Sequence, residues 1–289
     1  MPTFKLSVIT DEITQDFGRA LEIAAQEFKL GLVEIRAMWG KNIMALDAKE
    51  IAEARRLLEK YKLRVSSIAS PIFKIDWPGA PVSKLIARDQ FGANFTLAQQ
   101  DELLERGFEL ARVFRVDRIR IFDFWRIEDQ GPYRAAIDAK LVDAANKASK
   151  RGITLLLENE FACNTATGSE AGRTLNAVPS PYFKLNWDPG NAAKAGESPF
   201  PEGYSHLPKN RIGYVHCKDA VRKTDGDVDW MKMGGGFIDW IGQFRALKRD
   251  GYRGVTSLET HWRGAGTPEE STRQSMAGMK DLVRRVDAL

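Results

Sequence analysis

Short β-branched runs alternate with longer helical patterns along this chain, and the alternation repeats eight times. KLSVIT, LVEIRAM, RVSSIAS, RIRIFDF, TLLLENE, YFKLNWD, IGYVHCK and GVTSLET read as strands. Between them lie segments such as DAKEIAEARRLLEKY, where Ile51, Ala54, Leu57 and Leu58 recur at the spacing of one helix face. In the first such segment Phe17, Ala20, Leu21, Ala24 and Ala25 form the stripe, with Asp11 or Thr14 as the expected cap. Gly31, Gly152 and Gly254 close helices ahead of strands. Parallel strands joined by right-handed helical crossovers predict a (β/α)8 TIM barrel. The alternative, an open doubly wound sheet, expects a glycine-rich phosphate turn after the first strand, and VITDEIT offers none.

The length of 289 residues suits one such domain over residues 1–289, with a core that needs neither a disulfide nor a structural metal. Hydrophobic residues make up 43% and charged residues 28%, the balance of a globular protein. No run approaches the ~20 apolar residues of a membrane span. The net charge of +4 is spread over pairs such as Arg55 with Arg56 and Arg284 with Arg285, interleaved with acids. That pattern reads as solvated helix faces and not as a nucleic-acid stripe. The chain has 2 cysteines, Cys163 and Cys217, in no paired framework, and its N-terminus turns acidic before any signal-length apolar run. Both features predict a cytoplasmic protein. The stretch from Pro71 to Asn94, interrupted by Pro78 and Pro81, is long for a connection and reads as a lid or binding segment.

Four strands of the second half end on metal-capable side chains: Glu158, Asp188, His216 and Glu259. In a barrel the C-terminal strand ends share one rim, where function is built. Side chains alternate across a strand, so Leu156, Glu158 and Glu160 share a face, His216 shares one with Lys218, and Glu259 with His261. Lys218, Glu160 and His261 are therefore pocket candidates, while Cys217 faces a helix. Taken singly, each acid also reads as a rim residue or a cap; Asp188, before Pro189 and Gly190, suits a turn. Taken together, grouped carboxylates are costly to bury without a cation, and a hard-to-borderline divalent ion suits the set. Arg36, Trp39 and Lys41 follow the second strand, Lys74 and Trp77 the third, and Trp125 and Arg126 end the fourth, all bordering the expected pocket. Gly234 to Gly236, ahead of Ile238, offer N–H groups for a phosphate or form a turn capped by Asp239.

VITDEI, VEIRAMWGKN, ENE, NWDPGN, VHCKD, GGGFIDW and SLE, in that order across nearly the whole chain, resemble the xylose isomerase-like TIM-barrel superfamily of sugar phosphate isomerases and epimerases. The resemblance implies that Glu158, Asp188, His216 and Glu259 bind one divalent metal, Mn²⁺, Mg²⁺ or Co²⁺, and that Glu158 and Glu259 double as the acid/base pair. It implies proton transfer through an ene-diolate on a small polyhydroxy carbonyl substrate, in an enzyme type that is often a homo-oligomer. A metal-dependent lyase or dehydratase of a keto-inositol or keto-sugar shares that intermediate, and a non-catalytic sugar-binding barrel is the other class. In ketose 3-epimerases an acid is expected six positions after the first metal glutamate and a histidine three after the aspartate; this chain has Asn164 and Asn191. An arginine expected six positions after the metal histidine is matched by Arg222. The substrate-contact candidates are thus Arg222, Lys218, Asn191, Glu160, His261, Arg36, Trp39 and Lys74. Endonuclease IV, of similar fold, needs a histidine-rich trinuclear zinc site, and His206, His216 and His261 are too few for one. The large two-metal xylose isomerases need a second carboxylate cluster, which the sequence does not present.

Overall fold

The computed structural model describes residues 3–81, 89–91, 93–224 and 226–288. The expected strands form: β1 (Lys5–Val8), β2 (Leu32–Ile35), β3 (Arg64–Ala69), β4 (Arg118–Ile121), β5 (Thr154–Glu158), β6 (Phe183–Trp187), β7 (Ile212–Cys217) and β8 (Val255–Leu258). They lie in the order β1-β8-β7-β6-β5-β4-β3-β2, each pair of neighbours parallel. A parallel bridge between Ile9 and Glu34 joins the two ends, so the sheet curls into a (β/α)8 TIM barrel.

The helices are α1 (Phe17–Glu22, continued by a π turn), α2 (Ala48–Lys60), α3 (Gln100–Val113), α4 (Gly131–Ser149), α5 (Gly168–Ala177), α6 (Pro189–Lys194), α7 (Trp240–Arg249) and α8 (Pro268–Asp287). Local chemistry starts them. Asp47 and Glu50 form a reciprocal capping box at α2, and Thr167 and Glu170 form another at α5. At α1 the cap is Asp16, whose Oδ1 accepts from Arg19 N at 3.0 Å, and not Asp11 or Thr14 as the pattern suggested. The physical reason is that Thr10–Glu12 winds into a 3-10 turn, which commits the Asp11 carboxylate to Arg36 instead. Among the described residues no helix is long and apolar enough to cross a membrane.

Strand alternation divides the interior. Leu155 and Leu157 face outward into the main core beneath the helices. Leu156 faces inward, where it packs with Tyr214 and Val255 at the barrel floor. Above that floor the inward positions turn polar and charged, and this is where the site lies. Within the long Pro71–Asn94 stretch, Ile72, Phe73 and Ile75 accept hydrogen bonds from Phe122, Phe124 and Trp125 N–H groups at 2.8–3.0 Å, which ties this part to the end of β4. The lid expectation for the remainder falls partly on residues 82–88 and 92, outside the described residues. Two short antiparallel hairpins ornament the rim: Ala37–Met38 with Lys41–Asn42, and Asp219–Arg222 with Val228–Met231.

Candidate metal centre and active site

Glu158 ends β5, Asp188 and Glu259 follow β6 and β8 by one residue, and His216 lies one residue before the end of β7. The structure brings these four together: one donor atom from each lies within 4.8 Å of the others, and all four side chains are buried. His216 Nδ1 faces Glu158 Oε1 at 3.1 Å, Glu259 Oε2 at 3.3 Å and Asp188 Oδ2 at 3.9 Å. Asp188 is also the N-cap of α6, its Oδ1 accepting from Asn191 N at 2.9 Å, which leaves Oδ2 directed elsewhere. The turn reading of Asp188 and the ligand reading are therefore compatible.

The carboxylates of this cluster are balanced by cationic side chains around them. Asp188 Oδ2 and Glu259 Oε2 are buried and make no well-aligned hydrogen bond; each instead lies at ion-pair distance from Lys218 Nζ, at 3.0 and 2.6 Å. Burial pushes the Asp188 carboxyl up to about 6; Lys218 opposes that shift, while Glu158 and Glu259 reinforce it. Burial likewise penalises charge on Glu158, but His216 and Arg120 more than offset it and hold this carboxyl at about 2. Glu259 is held well below the usual range because Lys218, His261 and His216 outweigh its burial. His216 moves the other way: burial alone would lower it, yet Glu34, Glu158 and Glu259 hold the imidazole well above its ordinary value. Three carboxylates and one imidazole nitrogen form a donor set suited to Mg²⁺, Mn²⁺, Co²⁺ or Zn²⁺. Asp188 Oδ2 and Glu259 Oε2, which among the described residues make no well-aligned hydrogen bond, could turn from Lys218 to such an ion.

A ring of charged groups holds the four in place. Arg120, fully buried on β4, donates to Glu158 Oε2 at 2.9 Å and to Ala69 O at 3.1 Å. Arg36 spans Asp11, Glu12 and Glu259 at 2.9, 2.7 and 2.5 Å. Glu12 in turn meets His261 Nδ1 at 2.8 Å and Arg263 at 2.9 Å, so this second acidic group, Glu12 with Glu259 and His261, has Arg36 and Arg263 as its counter-cations. Asn159 braces the cluster by accepting from Asp188 N at 2.7 Å and donating to Asp188 O at 2.8 Å. The Asn191 amide donates to Glu158 Oε1 at 3.2 Å and accepts from Lys218 at 3.4 Å. Lys74, 3% exposed, has its ammonium 3.8 Å from Glu160 and over the rings of Phe91, Phe122 and Trp125. Arg36 and Arg120 pack against the same Phe91 ring. Outside lies a cleft of about 350 Å³ lined by Asp11, Glu12, Arg36, Phe91, His261 and Arg263.

Of the substrate-contact candidates, Lys218, Asn191, Glu160, His261, Arg36 and Lys74 thus gather at or beside the cluster. Trp39 does not; its ring packs edge-on against Phe17 at 5.8 Å. Arg222 is exposed at the end of its hairpin strand, stacked on Phe237 at 4.4 Å, because the antiparallel pairing of Asp219–Arg222 carries it away from the buried cluster. The N–H groups of Gly234 and Gly236 are not free for a phosphate, since both donate to Asp219 Oδ2, at 2.9 and 3.0 Å. Asn164 braces the loop by donating to Asp123 O at 2.8 Å and accepting from Ile127 N at 2.9 Å. Cys217 is buried in the core as expected, and burial raises its thiol well above the usual range. Glu34, Arg120, Asn159 and Glu12 are the participants that the sequence reading missed. The available signal was charge within a strand pattern: Glu34 shares a face with Arg36 in VEIR, and Arg120 alternates with Ile119 and Ile121 in RIRI.

The family model of the xylose isomerase-like TIM barrel matches residues 23–282. No curated protein matches the sequence. Among solved structures, the chain is similar to the IolI protein with a bound zinc atom, at a TM-score of 0.74 and 16% identity, covering 98% of this chain and 99% of that one. It is similar to the probable 3-DHS dehydratase AsbF from Bacillus anthracis, at 0.71 and 16%, covering 96% and 98%. It is also similar to D-allulose 3-epimerase from Methylomonas sp. in complex with D-allulose, at 0.69 and 19%, covering 99% and 98%. At these identities the likeness establishes the fold.

Proposed function

The chain belongs to the xylose isomerase-like TIM-barrel family, and from that premise we propose that it is a divalent-metal-dependent isomerase or epimerase of a small polyhydroxy carbonyl compound. The observation that carries this reading is the convergence of Glu158, Asp188, His216 and Glu259 donor atoms within 4.8 Å at the C-terminal rim of the barrel. A divalent ion held by these four supplies, when bound, the Lewis acidity that makes a C–H beside a carbonyl removable. The zinc in the IolI structure supports a metal in this fold, and the sugar in the Methylomonas epimerase supports the substrate class.

The roles of the side chains follow from their partners. Glu158 and Glu259, kept ionised by Arg120, Arg36 and Lys218, are the groups that take and return the proton. The Lys218 ammonium offers a charge-assisted donor to negative charge developing on a substrate oxygen. Lys74 and Glu160, a donor and an acceptor 3.8 Å apart beside aromatic rings, suit a substrate hydroxyl. Return of a proton to the same carbon from the opposite face epimerises; return to the neighbouring carbon isomerises.

A second reading, a metal-dependent dehydratase of a keto-inositol or keto-sugar, is supported by the likeness to AsbF and by Asn164, which serves the loop in place of an epimerase-type acid. Incubating the metal-loaded chain with ketoses and keto-inositols in D₂O separates them. Deuterium retained on a carbon beside the carbonyl supports the isomerase or epimerase. Water loss with a new unsaturated chromophore supports the dehydratase, and sugar binding without any exchange defeats both in favour of a binding barrel.

A further inference from the structure

Glu34 lies within β2 with 0% of its surface exposed. Its Oε2 is 3.0 Å from His216 Nε2, and its Oε1 has no hydrogen-bond partner among the described residues. The imidazole therefore reaches across the barrel interior from β7 to β2, and its other nitrogen, Nδ1, faces the oxygens of Glu158, Glu259 and Asp188. The Tyr214 ring meets the imidazole edge-on at 5.8 Å. In the neutral ring one nitrogen carries the hydrogen and the other a lone pair, and a carboxylate, being acceptor-only, receives only the nitrogen that carries the hydrogen.

We infer that Glu34 is a positioning residue: with a cation among the three carboxylates, it keeps the His216 hydrogen on Nε2 and so leaves the Nδ1 lone pair facing that cation. This rests on the reading of Glu158, Asp188, His216 and Glu259 as metal ligands. Filling space does not account for Glu34, because an apolar side chain would do so without burying an unpartnered oxygen. A carboxylate behind a ligating histidine orients the ring and raises its basicity, and removing such a partner lowers metal affinity by roughly 10–100-fold.

The test uses Zn²⁺ alone as the probe on the full chain, with Glu34→Gln and Glu34→Leu, by titration calorimetry and by ¹⁵N NMR of the imidazoles. With 3 histidines in the sequence, the His216 signals are assignable from a His216→Gln control. The expected result is Nε2–H with Nδ1 on the metal in the wild type, and a Zn²⁺ affinity about 10–100-fold lower in Glu34→Gln with unchanged far-UV circular dichroism. The Glu34→Gln signals should also show loss of the single tautomer, which a merely structural role would not produce. Should Glu34→Leu fail to fold, Glu34→Gln carries the test. Zn²⁺ affinity in Glu34→Gln within twofold of wild type, or coordination through Nε2, overturns this inference alone. A wild-type chain that takes up no Zn²⁺ overturns the metal reading beneath it as well.

Discussion

Replacing Lys218 by methionine removes one charge from the centre of the cluster while keeping most of the side-chain volume. In the wild type the ammonium is 1% exposed and lies 2.6 Å from Glu259 Oε2 and 3.0 Å from Asp188 Oδ2. At the effective dielectric of ~20 that describes buried pairs, unit charges at these separations attract by about 6 kcal/mol each. Much of that offsets the cost of burying the ions, and breaking a buried pair by removing one partner destabilises by about 3–5 kcal/mol net. In a chain of 289 residues that corresponds to a fall in Tm of about 5–8 °C, measured by scanning calorimetry after chelation. Saturating Mn²⁺ should recover at least half of the deficit, because the ion supplies positive charge to the same two carboxylates. A chelated variant that melts within about 2 °C of the wild type would show that the Lys218 ion pairs do not hold the cluster. A deficit that Mn²⁺ binding leaves untouched would count against that role equally.

Glu259→Gln should lower the rate of C–H exchange in D₂O by about 10²–10⁴-fold, read by proton NMR of the substrate; full exchange would remove Glu259 from the proton-transfer role. Metal binding should release about one proton per ion at pH 7, because His216, held well above its ordinary value, must give up the proton on Nδ1 to coordinate. Protons compete with the ion, so affinity falls as pH falls, and more steeply below about 6, where Asp188 also becomes protonated; calorimetry in buffers of different ionisation heat checks this, and zero release would contradict it. Asn159→Ala removes the side chain that holds the Asp188 backbone at both N and O, at 2.7 and 2.8 Å. It should destabilise the fold by about 1–3 kcal/mol in a urea titration, with weaker Mn²⁺ binding, and an unchanged midpoint would contradict the bracing role.

The barrel was legible because its strands and helices carry different apolar periods, and the four strand-end donors because a rim residue at a strand terminus stands out against an apolar run. Lys218, Glu160 and His261 followed from simple alternation along the strands. The supporting charges were harder to see. Glu34 sits singly within an apolar strand and Arg120 alternates with isoleucines in RIRI, patterns that a half-solvated strand would also show; only closure of the barrel buries them opposite His216 and Glu158. Arg222 lies outside the buried cluster, because spacing from His216 says nothing about the hairpin that follows β7. Gly234 and Gly236 were open to a phosphate reading because the carboxylate that occupies their N–H groups, Asp219, lies 15 and 17 positions earlier in sequence. At Trp39 the backbone is left-handed, with φ of 53°, and the ring packs against Phe17, an outcome that strand alternation does not encode.

One divalent-metal site formed by Glu158, Asp188, His216 and Glu259 is tested by the Mn²⁺ stoichiometry of the dialysed, metal-loaded chain by elemental analysis, beside Asp188→Ala, together with the anomalous-scattering peak in a Mn²⁺-soaked crystal. One ion per chain is expected, with a peak within coordination distance of all four side chains and loss of that ion in Asp188→Ala. A wild-type chain that retains no Mn²⁺, or a peak away from these residues, would contradict it.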